Sequence, residues 1–384
     1  MALRVDATGY GRYVSIDPDF ASSVAAESVE LDVAGDVVAL TGALVDVFSV
    51  SHHEQVLADA VQRALSGYPH LEVHRDGNTI VARTALGRSE RVVIAGHLDT
   101  VPEAGNLPSR LRVIDGEERL YGLGSCDMKG GVAVALRLAA TVPEPSRDVT
   151  FLFYEAEEVE ARFNGLQRLA ESRPDWLAGD FAVVMEPSNG AVEAGCQGTL
   201  RFEVRTTGRR AHSARSWLGD NAIHHLGAVL RRLESYEPRV VGVDGLAYRE
   251  GLNAVGISGG VAGNVIPDEA LVAINYRFAP SRSEAEAEAH VRELFDGYDV
   301  RLTDVAGGAL PGLGHPAAAA FIQAVGGVPQ PKFGWTDVAR FSAVGMPAVN
   351  FGPGDPQLAH TREEYTPVAQ LRSVEAGLRA WLTS

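Results

Sequence analysis

Cysteine is almost missing from this 384-residue chain, which holds only Cys126 and Cys196 and no C-x-x-C. A disulfide framework is thereby excluded, and the chain reads as a reduced, cytoplasmic protein. Lysine is equally scarce. Lys129 and Lys332 stand alone among 34 basic residues, the rest being arginine. With the Ala, Val and Gly richness, this fits the coding bias of a GC-rich genome better than a binding adaptation. Positive charge as a whole falls short: 34 Lys and Arg face 50 Asp and Glu, a formal net charge of −16. Nucleic acid and anionic membrane surfaces both require a basic face, so neither is expected as a partner. Long apolar runs are missing too, since no uncharged stretch approaches the roughly 20 residues that span a bilayer. Met1–Phe20 has no continuous apolar stretch behind Arg4, so no signal peptide is expected there.

What is present is ordinary globular composition, 46% hydrophobic and 22% charged. The length suits two domains, or one large domain carrying an insertion. Asp36–Val50 reads as a first helix. Ser51 to Glu54 has capping-box spacing and opens a second helix through about Leu65. Buried strands then alternate with helices: Val92–Ala95, a helix over Gly130–Ala140, Thr150–Tyr154 and Phe181–Met185. Such alternation predicts a mainly parallel sheet covered by helices on both faces. Near Gly195 the pattern changes. Thr199–Thr206 alternates apolar and polar residues, followed by a helix over Gly219–Tyr236 and strands at Asn253–Ser258 and Glu269–Phe278. Ser281 to Glu284 caps another helix, and Asp299–Val305 is a last strand. The order βαββαβ predicts a ferredoxin-like α+β unit inserted into the first domain. The α/β pattern resumes with a strand at Ala348–Phe351 and a helix after Pro367. Expected boundaries are therefore 1–194 and 308–384 for the two parts of an α/β catalytic domain, and 195–307 for the insert.

Three buried strands run directly into acid or imidazole side chains. These are His97 and Asp99 after the first, Glu155, Glu157 and Glu158 after the second, and Glu186 after the third. Between them lies a Gly-rich loop, Gly122 to Gly131, containing Asp127, and His360 follows the Ala348–Phe351 strand by a short loop. In open α/β sheets ligands bind beyond the carboxyl ends of the strands, so these segments should converge. Nitrogen and oxygen donors without thiolate suit Zn²⁺ in hydrolytic sites, or Co²⁺ and Mn²⁺. Two histidines and three carboxylates suffice for two ions sharing one carboxylate and one water. Asp99 is then expected to accept the His97 ring N–H, and one glutamate is left over as a general base. Alone, each piece is weak: a strand-end His or Asp is more often a cap than a ligand. The Gly-rich loop also lacks both G-x-x-x-x-G-K-[ST] and a good G-x-G-x-x-G match that would make it a phosphate cradle. Cys126 reads as a small buried residue rather than a ligand.

GHLDTVP, GLGSCDMKGG, EAEEVE, MEPS and LAHTREEY resemble, in order and spacing, the five metal-site motifs of the M20 family of di-zinc peptidases and deacylases. The resemblance covers nearly the whole chain. It implies a zinc-exopeptidase-like catalytic domain and makes the insert a lid and dimerisation domain. It makes His97 and Glu186 ligands of one ion, Glu158 and His360 ligands of the other, Asp127 the shared ligand and Glu157 the general base. It further implies a cis Asp127–Met128 bond. The segment Gly208 to Ala214 resembles the family motif that supplies an oxyanion donor through its histidine, here His212, often to the neighbouring subunit of a homodimer.

The family cleaves small acylated amino acids and peptides. Within it, Glu155 to Ala161 with Asn164 to Leu166, and Phe333 to Phe341, resemble the actinobacterial branch of succinyl-diaminopimelate desuccinylases. They replace the more widespread D-E-E-G and S-G-G-T-S-D stretches. Arg277 and Asn264 fall where the family's lid contacts substrate, and a guanidinium suits a substrate carboxylate. Thr336 and Asp337 are further candidates, the aspartate for pairing with a free amine. The expected reaction is hydrolysis of N-succinyl-LL-diaminopimelate to LL-diaminopimelate and succinate. Acetylornithine deacetylase or another deacylase or peptidase of the family is the alternative. A catalytically dead binding relative is a third reading, disfavoured because His97, Asp127, Glu157, Glu158, Glu186 and His360 are all kept.

Overall fold

The computed structural model describes residues 29–384; the reading of Met1–Phe20 lies outside the described residues. The unbroken apolar runs become the middle of an eight-stranded sheet. Its order is Glu72–Asp76, Thr79–Arg83, Asp148–Tyr154, Arg91–His97, Phe181–Val184, Ala348–Asn350, Glu193–Ala194 and Gln330–Pro331. The four strands from Asp148–Tyr154 to Ala348–Asn350 are mutually parallel. Asp148–Tyr154 is buried along its whole length and Arg91–His97 from Val92 onward. Each fully buried Val, Leu, Ile or Phe contributes about 1.5–3 kcal/mol, so these runs anchor the main core. Helices Val37–Asp46, Gln55–Ser66, Lys129–Thr141 and Val368–Thr383 supply much of the rest of that core.

Two local expectations give way to tertiary contacts. The first helix stops at Asp46, because Val47 is already extended, and Asp36 caps its start through the amides of Val38 and Ala39. The Ser51–Glu54 capping box does not form. The Ser51 hydroxyl donates to Asp99 and the Glu54 carboxylate turns inward, leaving Gln55–Ser66 without a side-chain cap.

Residues 198–306 build a separate antiparallel sheet of four strands, in the order Gly251–Gly259, Glu269–Phe278, Gly198–Thr207, Asp299–Ala306. Helices Ala222–Glu234 and Glu284–Leu294 cover one face, giving the ferredoxin-like βαββαβ arrangement and a second core around Phe202, Ile274, Tyr276 and Phe295. The sequence pattern missed the hairpin of Val240–Val243 with Leu246–Arg249. The capping box here lies two residues later than expected: Ser283 takes the Glu286 amide while the Glu286 carboxylate returns to the Ser283 amide. A third small sheet, Arg110–Ile114, Glu117–Tyr121 and Tyr365–Pro367, also has no counterpart in the sequence reading.

Candidate metal centre

Parallel register brings the functional residues together. His97 pairs with Tyr154 and Ala95 with Val184, so the chain leaves these strands at one level: His97 ends its strand, Glu157 and Glu158 follow Tyr154, and Glu186 follows Val184. From the Gly-rich loop Asp127 enters, its bond to Met128 cis as expected. The helix that follows presses so closely on the third strand end that a Cβ on Gly131 would collide with the Met185 carbonyl. His360 arrives on the loop after Ala348–Asn350 with a left-handed backbone, φ 63°.

Three overlapping sets of donor atoms result, each with all its ligand atoms within 4.8 Å of one another: His97, Asp127 and Glu186; Asp127, Glu158 and His360; and His97, Glu157 and Glu158. Asp127 joins the first two. One of its oxygens lies 3.1 Å from His97 Nε2 and the other 3.4 Å from His360 Nε2, while His360 Nε2 is 2.9 Å from Glu158. This geometry fits two cations sharing one carboxylate.

The electrostatics ask for positive charge. Burial, with Asp127 beside it, pushes the Glu186 carboxyl up to about 8. Burial raises Glu158, and burial together with Asp337 raises Glu157 well above the usual carboxylate range. The two imidazoles answer in kind. Hydrogen bonds to Asp127 and Glu158 lift His360 to about 11, and for His97 the Asp127 and Asp99 carboxylates outweigh the effect of burial and raise it too. Divalent cations would replace those protons.

Asp99 departs in part from expectation. His97 Nδ1 lies 3.0 Å from the Asp99 main-chain carbonyl and 3.5 Å from its carboxylate, so the main chain takes the ring N–H. The same tautomer results, with Nε2 free for the centre. The Asp99 carboxylate accepts instead from the amides of Glu157 and Glu158 and from Ser51 Oγ.

Two acids missed in the sequence complete the frame. Glu54 accepts the amide of Ala156, a residue at φ 58°, so three successive amides at 156–158 are each held by a buried carboxylate. Glu364 accepts the amides of Cys126 and Asp127, and burial pushes it up to about 7. Both lysines also hold site loops. Lys129 Nζ donates to the Val47 carbonyl, and Lys332 Nζ to the Pro187 carbonyl, beside Glu186, and to Glu193.

The substrate candidates are placed less directly. Thr336 and Asp337 are both buried. Thr336 donates to Asn350, and the two Asp337 carboxylate oxygens accept from Arg340 and Asn164. His212 and Asn264 lie side by side where Ala211–His212 pairs with Val265–Ile266, and the Ser213 amide donates to the Asn264 carbonyl. The Arg277 guanidinium donates to Asn275. Among the described residues no hydrogen bond or ion pair ties His212, Asn264 or Arg277 to the metal-centre side chains.

The model of peptidase family M20/M25/M40 matches residues 93–383. The chain is 56% identical to a putative succinyl-diaminopimelate desuccinylase of Mycobacterium tuberculosis over 92% of its own length and 99% of the relative's. It is 49% identical to a succinyl-diaminopimelate desuccinylase of Corynebacterium glutamicum, over 92% and 98% of the two chains. Among solved structures it is similar in fold to a tripeptidase from Staphylococcus aureus, with a TM-score of 0.74 and 20% identity over 90% of this chain and 96% of the other. Motifs, strand-end geometry and these likenesses agree: the chain belongs to the M20 peptidase family.

Proposed function

We propose that this protein is a metal-dependent amide hydrolase that converts N-succinyl-LL-diaminopimelate and water to LL-diaminopimelate and succinate. The observation that carries the substrate is the 56% identity over 92% of the chain to a relative bearing that name. Two divalent ions are assigned to the centre, Zn²⁺ first and Co²⁺ or Mn²⁺ as alternatives. His97 and Glu186 hold one, Glu158 and His360 the other, and Asp127 holds both. When bound, such ions polarise a scissile carbonyl and lower the pKa of a water toward about 7.

The chain supplies the rest. Asp99 fixes the His97 tautomer through its carbonyl and, through its carboxylate, the amides on which Glu157 and Glu158 are carried. Glu157, its proton affinity raised by burial and by Asp337, takes a proton from the attacking water and returns it to the departing amine. His212, on the lid, supplies the oxyanion donor, and Arg277 and Asn264 meet the substrate. The lid is residues 195–307 between catalytic segments 1–194 and 308–384. A homodimer through this lid is part of the proposal. Its support is the outer strand Gly251–Gly259, which among the described residues is unpaired on one side and exposes Val255 and Ile257. The described helices include none long and apolar enough to cross a membrane, and the assignment is to a cytoplasmic enzyme.

The deciding assay sets the zinc-loaded protein against N-succinyl-diaminopimelate, N-acetylornithine and a dipeptide set. Preference for the succinyl compound is expected; preference for N-acetylornithine overturns the substrate while leaving the metal chemistry intact.

A further inference from the structure

The small sheet beside the His360 loop carries an arrangement that its own folding does not explain. Register places Arg110 opposite Tyr121, Arg112 opposite Arg119, and Tyr365 on the far side of Tyr121. Directly opposed residues share a face, so these three arginines and two tyrosines project together. Arg112 lies over the Tyr121 ring and Arg119 over that of Tyr365. Like charges directly opposed across a strand pair are destabilising. Glu117 relieves Arg119 at 2.6 Å, but among the described residues no carboxylate is ion-paired with Arg110, Arg112 or the nearby Arg362. That is notable in a chain with 50 acids to 34 bases.

Arg110, Arg112 and Arg362, all solvent-exposed, line one pocket of about 110 Å³ with Tyr121 and Asn106 and with two acids, Glu363 and Glu364, so three guanidiniums face two carboxylates there. Its wall at residues 362–364 continues directly from the metal-centre His360. The same wall ends in Glu364, whose carboxylate holds the Asp127 amide. The pocket has room for a carboxylate-sized group rather than a whole substrate. Arginine forks match a carboxylate with paired N–H donors.

We propose that this pocket is a carboxylate subsite, holding a terminal carboxylate of the substrate while its amide lies at the metal centre. The identity of the ligand rests on the desuccinylase reading; the existence of the subsite does not.

The test uses the metal-loaded full chain, with Arg112→Ala, Arg362→Ala and the triple variant Arg110→Ala/Arg112→Ala/Arg362→Ala. Each single change should raise KM for N-succinyl-diaminopimelate roughly tenfold, the effect of losing one charge-assisted hydrogen bond. The change in kcat should be much smaller, and metal content should stay that of the parent. Calorimetric titration with succinate should show binding weakened at least about tenfold in the triple variant. Unchanged KM with unchanged succinate binding overturns the subsite. Weakened succinate binding with unchanged KM makes it a site for the free anion and overturns its place in substrate binding. If the parent does not cleave the succinyl compound, the functional reading falls, and the calorimetric difference alone still decides the subsite.

Discussion

The central strands of the eight-stranded sheet are buried nearly end to end, whereas in the four-stranded sheet Glu269–Phe278 alternates buried and partly exposed residues and Gly251–Gly259 is exposed from Asn253 onward. A sheet covered on both faces offers polar side chains no outlet except its strand ends. There His97, Glu157, Glu158 and Glu186 collect. Among the described residues the half-covered sheet has a free face and a free edge instead, and contributes surface. Chemistry in the first region should therefore respond to single atoms, and the second to changes in what it touches.

The largest effect is expected from Glu157→Gln. Turnover should fall by about 10²–10⁴-fold, the usual contribution of a general base, while metal analysis shows both ions retained. Activity near the parent's would remove Glu157 from that role. Next is Glu54→Leu, which leaves the amides of His52 and Ala156 without their acceptor. His52 is exposed and its amide can turn to water, but the buried Ala156 amide left unpaired costs about 1–3 kcal/mol, to be read in the denaturation midpoint. A lower kcat with unchanged substrate specificity should accompany that loss, because Ala156 carries the turn into Glu157.

A pH effect of intermediate size separates the two regions in the metal-free protein. Burial holds Glu186 at about 8 and Glu364 at about 7, above the ordinary 4.5, so the folded chain binds more protons than the unfolded one across that window. Stability must then fall as pH rises from about 5 to about 8. His97 and His360, raised as well, push the same way. Melting of chelated protein should show the decline, and the gain in Tm on adding zinc should grow over the same range. A flat profile would mean the acids are neutralised otherwise. The smallest effect on stability is expected from Ile257→Lys on the exposed edge strand, within about 0.5 kcal/mol. Yet if the lids pair there, sedimentation should show monomers in place of dimers.

Much of the first region could be read from sequence because its signal is local: an apolar run, then His97, or Glu157 and Glu158, or Glu186. His360 was reachable through the family motif rather than through any run of its own. The frame behind these side chains was not legible. Glu54 stands at capping-box spacing from Ser51, but its carboxylate meets an amide 102 residues away and the Ser51 hydroxyl meets Asp99. Local propensity proposed a cap and long-range burial overruled it. The surroundings of Asp337 were hidden for the same reason: nothing in its segment announces that Arg340 and Asn164 enclose it. The Arg110–Tyr121 hairpin is too short and polar to have stood out, and its meaning lies in cross-strand register.

The two lysines have one more consequence. Both are buried, Lys129 2% and Lys332 6% exposed, and each ammonium is spent on a carbonyl of the site's framework. Burial also drops Lys129 to about 7, making it a good nucleophile if it ever met a reagent. The folded exterior thus offers amine-directed electrophiles no side chain at all. Acylation of this chain beyond its α-amino group is a record of opening, and the order in which Lys129 and Lys332 react would date the loosening of the two loops they hold.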